Sequence, residues 1–402
     1  MTTTINNEHK KLNVPNLRFK EFQGEWSVTT LQKDCIVNPT NEKIADKFVY
    51  VDLESVKQGQ SYKYQILTKD NAPSRAQRVL HTDDILFQCV RPYQMNNYMV
   101  KGTMSDIQWV ASTGYAQIRT QTDYPAFLYY VLNTSKYNKA VMVRCTGSSY
   151  PAINSEDLSK IPFYKCDTAE QKKIADFLSL LDERIATQNK IIEDLKKLKS
   201  AIIEKVFNGK HSEKLQLNDV GLYIRGLTYS SNDVVEHGGT LVMRSNNIIN
   251  GSLLDYNNNV VFVNKQMSAE QQLQNGDVVI CMANGSSSLV GKSSFYDGSC
   301  HSPITVGAFC GIYRSKEPIV KWLFQTNKYR RYIWNSLQGG NGAIANLNGE
   351  DILNMSFSIP NATIKDTCVK MLTSVDSALE NNMSLCALYT LQKQHLLRLM
   401  FI

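Results

Sequence analysis

The stretch DTAEQKKIADFLSLLDERIATQNKIIEDLKKLKSAIIEKVF, residues 167–207, decides how this 402-residue chain is read. It contains neither Gly nor Pro, the strongest interrupters of a helix. Asp167 followed by Glu170 is a capping-box pattern for its start, and Asn208-Gly209 is a stop signal. Apolar residues recur in steps of three and four at Ile174, Leu178, Leu181 and Ile185, then at Ile192 and Leu195, then at Ile202 and Val206. That spacing predicts one helix with a coiled-coil seam about five heptads long. Gln188 and Lys199 fall on the seam as polar breaks.

Adding 194 to each seam number gives Cys368, Leu372, Val375, Leu379, Asn382, Cys386, Tyr389, Lys393, Leu396 and Met400. This is a second helix with the same seam. Its polar breaks match too: Gln188 with Asn382, and Lys199 with Lys393. Asp182 matches Asp376, and Phe207 matches Phe401. Isolated polar residues weaken a seam but fix its register, so shared breaks point to duplication.

The segments before the helices correspond as well. KYNKAVMVRCTGSSYPAINSEDLSKIP ends at Ile161-Pro162, and KYRRYIWNSLQGGNGAIANLNGEDILNMSFSIP ends at Ile359-Pro360. Each runs from Lys-Tyr through a Gly-rich turn to Glu-Asp and Ile-Pro. Further upstream, Asp83-Asp84-Ile85-Leu86-Phe87 corresponds to Gly276-Asp277-Val278-Val279-Ile280, a turn leading into a buried strand in both. Short β-rich runs (Lys47 to Val51, Val260 to Val263) and helical candidates (Pro125 to Asn133, Glu317 to Asn327) mark each half as α+β. The expected organisation is a globular domain at 1–166, a spacer helix at 167–207, a linker at 208–213, a second globular domain at 214–360 and a C-terminal helix at 361–402. The two helices should pair as an antiparallel coiled coil within an internal pseudo-two-fold repeat.

Composition narrows the function classes. Hydrophobic residues are 43% and charged residues 20%, ordinary for a globular protein. The polar start MTTTINNEHKKLN argues against a signal peptide, and no apolar run is long enough to suggest a membrane span. The nine cysteines form no C-x-x-C pair and no zinc-spaced cluster with histidine, so reduced cytoplasmic thiols and no metal are expected. The net charge of +7 divides as +5 over residues 1–166 (20 Lys/Arg against 15 Asp/Glu), zero over 167–213 (9 against 9) and +2 over 214–402 (15 against 13). A mild excess suits a nucleic-acid partner without deciding for one.

Catalytic signatures are missing. The chain has no G-x-G-x-x-G, no H-E-x-x-H, no G-x-S-x-G and no Asn-Pro-Pro-aromatic sequence of an adenine methyltransferase. Gly285 to Ser293 resembles a phosphate-binding loop but has five residues between its glycines where four are required. It reads instead as a turn facing DNA, where backbone N–H groups and Lys292 meet phosphate.

Three stretches carry a family resemblance. VPNLRFKEFQGEW (14–26) looks like the opening of type I restriction–modification specificity subunits, and AEQKKIADFLSLLDERI (169–185) resembles their central region. LKKLKSAIIEKVF (195–207) and LQKQHLLRLMF (391–401) resemble their two helix ends. The resemblance implies a non-catalytic DNA-recognition subunit, bacterial and cytoplasmic, serving phage defence. Each globular half would be a target-recognition domain for one part of a bipartite site on double-stranded DNA. Two methyltransferase subunits using S-adenosylmethionine would dock around the helices and methylate adenine. Restriction subunits using ATP and Mg would join them, and this chain would bind no cofactor itself. A helix of about 40 residues spans about 60 Å, one to two turns of DNA.

Basic residues near aromatics and amides are then the expected DNA contacts: Lys63, Arg75, Arg78, Arg91 and Lys101 in the first half, and Arg225, Arg244, Asn246, Lys292, Lys328, Arg330 and Arg331 in the second. Arg and Asn pair bidentately with guanine and adenine edges. Any one of them taken singly also suits a solvated surface. Two other functions fit parts of the pattern: a coiled-coil scaffold with protein-binding halves, and an enzyme, either a P-loop nucleotide-binding protein or a stand-alone methyltransferase.

Overall fold

A computed structural model describes residues 13–40, 42–57, 59–61, 65–102, 107–209, 213–337 and 345–402. The chain divides into two compact units, residues 1–188 with 385–402 and residues 189–384. The seam stretch is a single helix, Thr168–Phe207, and its repeat is the helix Ala362–Met400. Each unit therefore contains part of both long helices.

Unit one has two four-stranded sheets. The first is antiparallel, in the order Cys35–Val37, Tyr115–Thr120, Ile85–Gln88, Tyr98–Met99. The second runs Gln65–Thr68, Lys47–Val51, Gln108–Ser112, Ala76–Val79, and its central pair is parallel. A ribbon pairs Ser27–Thr30 with Pro162–Lys165. The helix Pro125–Leu132 has Pro at its first position, where the missing N–H costs nothing.

Unit two repeats the antiparallel sheet and the ribbon, while its second sheet has its parallel pair at one edge instead of in the centre. One sheet is antiparallel: Gly221–Arg225, Cys310–Ser315, Val278–Cys281, Ser293–Phe295. The other runs Val234–Val235, Val261–Val263, Thr240–Met243, Ile304–Val306 and again contains one parallel pair. Its ribbon joins Glu213–Gln216 to Ser356–Ile359. That strand begins at Glu213, the last position assigned to the linker.

The expected helix from Glu317 to Asn327 is shorter, only Val320–Leu323. Thr326 explains the break. Its hydroxyl donates to the Leu323 carbonyl (2.8 Å) and accepts the Tyr329 N–H (3.1 Å), closing one helix and opening the next, Asn327–Leu337. Thr134 does the same in unit one, between the Val131 carbonyl (2.8 Å) and the Tyr137 N–H (3.2 Å).

The capping box at the start of the central helix is half formed. Asp167 accepts the Glu170 N–H at 3.0 Å, but the fully buried Glu170 carboxylate does not turn back. It is gripped by the Arg18 guanidinium, Nε to Oε1 and Nη2 to Oε2, both at 2.7 Å. The VPNLRF stretch is thereby tied to the helix. Trp26 stacks edge-on against Phe127 and Phe401.

The seam is the apolar interior of the helix pair. In unit one Ile174 and Leu178 are buried with Met400 and pack with Leu396; Leu181 is buried and Ile185 half-buried. Asp182 pairs with Lys393 at 2.5 Å. As one helix advances the other retreats, so the pairing is antiparallel. In unit two Ile203 and Val206 pack with Cys368 and Leu372, and Lys199 pairs with Asp376 at 2.6 Å. Leu195, Ile202 and Val375 are half-buried and Leu379 buried along the same face. Here too the helices run antiparallel.

Candidate nucleic-acid interface

Both units hold the same polar framework around the strand expected to be buried. In unit one the Asp84 carboxylate is fully buried, accepts the His81 N–H (2.8 Å) and takes a two-pronged contact from Arg119 (2.8 and 2.9 Å). Gln117 adds a third donor at 2.7 Å. In unit two Asp277 accepts the Gln274 N–H (2.7 Å) and the two prongs of Arg314 (2.8 and 2.7 Å). Arg119 and Arg314 are thus structural, because a buried carboxylate needs such a partner.

The polar seam residues are duplicated in the same way. Tyr130 donates to Asp182 at 2.7 Å, and the Trp322 indole N–H donates to Asp376 at 3.0 Å. Shifting Asp182 and Lys393 by 194 in opposite directions produces Asp376 and Lys199, so one ion pair is the copy of the other. Lys199 is the more enclosed lysine, with 7% of its side chain exposed against 19% for Lys393. Burial pushes the Lys199 ammonium pKa down, opposed by Asp376.

The expected DNA contacts divide by environment. Arg75, Lys101, Arg225, Arg244, Asn246, Arg330 and Arg331 are exposed. Arg330 and Arg331 border a shallow recess with Trp334, which is 66% exposed. Arg244 donates to the Asn259 carbonyl at 3.1 Å. Arg78 is half-buried and its Nε is committed to the Tyr115 carbonyl (2.8 Å), which ties it to the sheet; burial lowers its pKa. Lys328 is half-buried with its ammonium over the Tyr332 and Phe357 rings. Lys63 lies outside the described residues.

The turn at Gly285 to Ser293, expected to meet phosphate, is exposed from Gly285 to Ser288 and commits much of the rest of its backbone to the protein. The N–H groups of Ser286, Leu289, Val290, Gly291 and Lys292 are all bonded within the protein. Gly291 adopts φ +80°, and a Cβ there would stand 2.7 Å from Ile333, so its glycine serves close packing. Lys292 is half-buried at its end, and a strand follows where a phosphate-binding loop requires a helix.

Sequence reasoning missed the loop at residues 88–97. Arg91 and Met95 both adopt left-handed backbone angles, φ 54° and 52°, and Arg91 precedes a proline. Neither residue type favours that region. The Arg91 guanidinium lies 4.4 Å from the centre of the Tyr150 ring. Only the neighbourhood of Arg91 and Tyr93 was visible in the sequence.

Among the described residues no helix is long and apolar enough to cross a membrane, and no group of three metal-ligating side chains occurs.

Residues 36–197 match the family model of the type I restriction modification DNA specificity domain. The chain is 33% identical over 158 residues to the Type I restriction enzyme EcoKI specificity subunit of Escherichia coli K12, covering 37% of this chain and 31% of that protein. It is 23% identical over 173 residues to the HindI specificity subunit of Haemophilus influenzae, covering 42% and 34% respectively. The match thus spans about a third of the length of these relatives. Among solved structures, the S subunit of a type I restriction-modification system from M. genitalium superposes with a TM-score of 0.61 at 15% identity, over 97% of this chain and 99% of that one. The chain is therefore similar in sequence to type I specificity subunits over residues 36–197, and it shares the fold of one along its length.

Proposed function

We propose that this chain is the DNA sequence-recognition subunit of a type I restriction–modification complex, with no catalytic centre of its own. Each unit reads one half of a bipartite duplex site. The observation that carries this reading is the duplication: two units with one buried framework and different surfaces. A repeated scaffold suits two copies of one partner, here methyltransferase subunits that use S-adenosylmethionine on adenine. Restriction subunits using ATP and Mg complete the complex, which acts on DNA in the bacterial cytoplasm. The specificity-domain match at residues 36–197 supports the DNA partner. Among the expected contacts, Arg75, Lys101, Arg225, Arg244, Asn246, Arg330 and Arg331 are exposed and Arg91 is half-buried beside the exposed Tyr150, which supports all eight as DNA contacts. Arg78 and Lys328 act through the fold.

The test is to coexpress the chain with its methyltransferase partner in a host lacking adenine methylation and map methylated adenines across the genome. The expected result is one motif with two specified halves and an unspecified spacer. Methylation without sequence preference, or none, would reject the reading.

A further inference from the structure

The geometry points to one element of unit one as its base reader: the loop at residues 91–96, carrying Arg91 stacked on Tyr150, which directs the guanidinium to the major-groove edge of a guanine in duplex DNA. This rests on the function proposed above and assigns it to particular atoms.

Strain is the first observation. Of five non-glycine residues with positive φ among the described residues, two, Arg91 and Met95, lie within this loop. Three of the five are Asn or Asp, which tolerate that region; Arg and Met do not. Such strain persists only where the surroundings over-determine the backbone, and it concentrates at functional sites.

The surroundings here are a network of buried amides. Gln88, 1% exposed, donates through Nε2 to the Val90 carbonyl and to Gln94 Oε1, both at 2.8 Å, and accepts the Asn96 N–H at 3.1 Å. Asn97, also 1% exposed, accepts the Gln88 N–H (2.9 Å) and donates to Asn133 (3.2 Å). Asn138 holds the Pro92 carbonyl at 2.9 Å. From the other side the Arg91 N–H is fixed to the Pro151 carbonyl (2.8 Å), next to Tyr150.

What the network presents is the second observation. Tyr150 and Tyr93 are 64% and 52% exposed, and among the described residues no carboxylate forms an ion pair with Arg91. A guanidinium resting over a ring can still offer N–H groups to a ligand and gives up little side-chain freedom on binding. Guanine O6 and N7 are the acceptors matched to that fork. Gln88 and Asn97 are positioning residues.

Purified complexes of the full chain with the methyltransferase, wild type and variants, test this by methylome mapping and by binding to labelled duplex. In Arg91→Gln, one guanine position in one half-site should relax, with about a tenfold or greater loss of affinity for the cognate duplex. Arg91→Lys should not restore it, whereas a phosphate contact would be largely restored by any cation. Replacing that guanine by 7-deazaguanine should weaken wild type and leave Arg91→Gln unchanged. Gln88→Leu should relax the same position while circular dichroism remains native. A variant that loses methylation but keeps salt-dependent binding to random duplex also supports the assignment. An unchanged motif in Arg91→Gln, full rescue by Arg91→Lys, or loss of random-duplex binding would overturn it. If wild type itself yields no bipartite motif, the functional reading fails and this assignment with it; an unchanged motif in the variant removes the assignment alone.

Discussion

The two units agree where they are buried and differ where they meet solvent. Asp84 with Arg119 and Asp277 with Arg314 are the same contact atom for atom, as are the Thr134 and Thr326 caps. The strand ends beyond those aspartates diverge. Unit one continues into the strained loop with Arg91 and Met95. Unit two continues into a short strand at Ala283–Asn284, paired with Ala345–Asn346, and a turn in which the N–H groups of Leu289 to Lys292 are bonded internally. A duplicated chain keeps the polar contacts its fold depends on, because a half-lost buried pair is costly. Exposed loop ends are free to change, which is where, on the proposed function, two readers of different sequences would differ.

This comparison can be broken at its shared part. Asp84→Ala and Asp277→Ala each take the carboxylate partner from a guanidinium and, in unit one, one of the two acceptors of the Gln117 amide. Both should cost about 3–5 kcal/mol. Hydrogen exchange followed by mass spectrometry should show each loss confined first to its own unit; equal loosening of both units by either change would contradict their independence.

The reciprocal seam pairs should differ by degree. Lys199→Met leaves Asp376 buried beside Trp322, with Lys321 at 3.5 Å, and should cost about 3 kcal/mol. Lys393→Met uncovers a more solvated Asp182 and should cost about 1 kcal/mol. Thermal denaturation of the two variants gives the order. A larger loss from Lys393→Met would show that burial does not set the weight of these pairs.

The smallest expected difference depends on pH. After its ribbon strand, unit one has Asp34 where unit two has Val220. Burial pushes the Asp34 carboxyl up, but Lys165 at 2.8 Å and Thr29 outweigh it and hold the carboxyl below its ordinary value of 3.8. A lowered folded value means the contribution is full above the unfolded value and is lost as pH falls through the folded one. It should be less than about 1 kcal/mol for so small a partly solvated cluster. Lys165→Met should flatten the acid limb of unit one's exchange profile below pH about 4 and leave unit two's unchanged.

Much of this was legible in the sequence for a plain reason. A seam with spacing of three and four is local information, and a repeat of 194 residues shows twice what a single copy shows once. The polar breaks were visible, but their partners were not, because Asp182 and Lys393 are 211 positions apart. Arg18 and Glu170, 152 apart, stayed hidden likewise. The turn at Asp83-Asp84 was read correctly, yet Arg119 as its partner was not. The candidate contacts were chosen by residue type, which does not separate the exposed Arg75 from Arg78, three positions on, which is bound to the Tyr115 carbonyl. Backbone strain at Arg91 and Met95 left no trace, since neither residue type announces a left-handed turn.

The central claim, that each unit reads its own half-site, is tested most directly by exchanging residues 214–358 for the matching segment of a related subunit and mapping methylated adenines with the same methyltransferase. The account predicts that one half of the motif changes while the other keeps its bases. A change in both halves after this single exchange would contradict it.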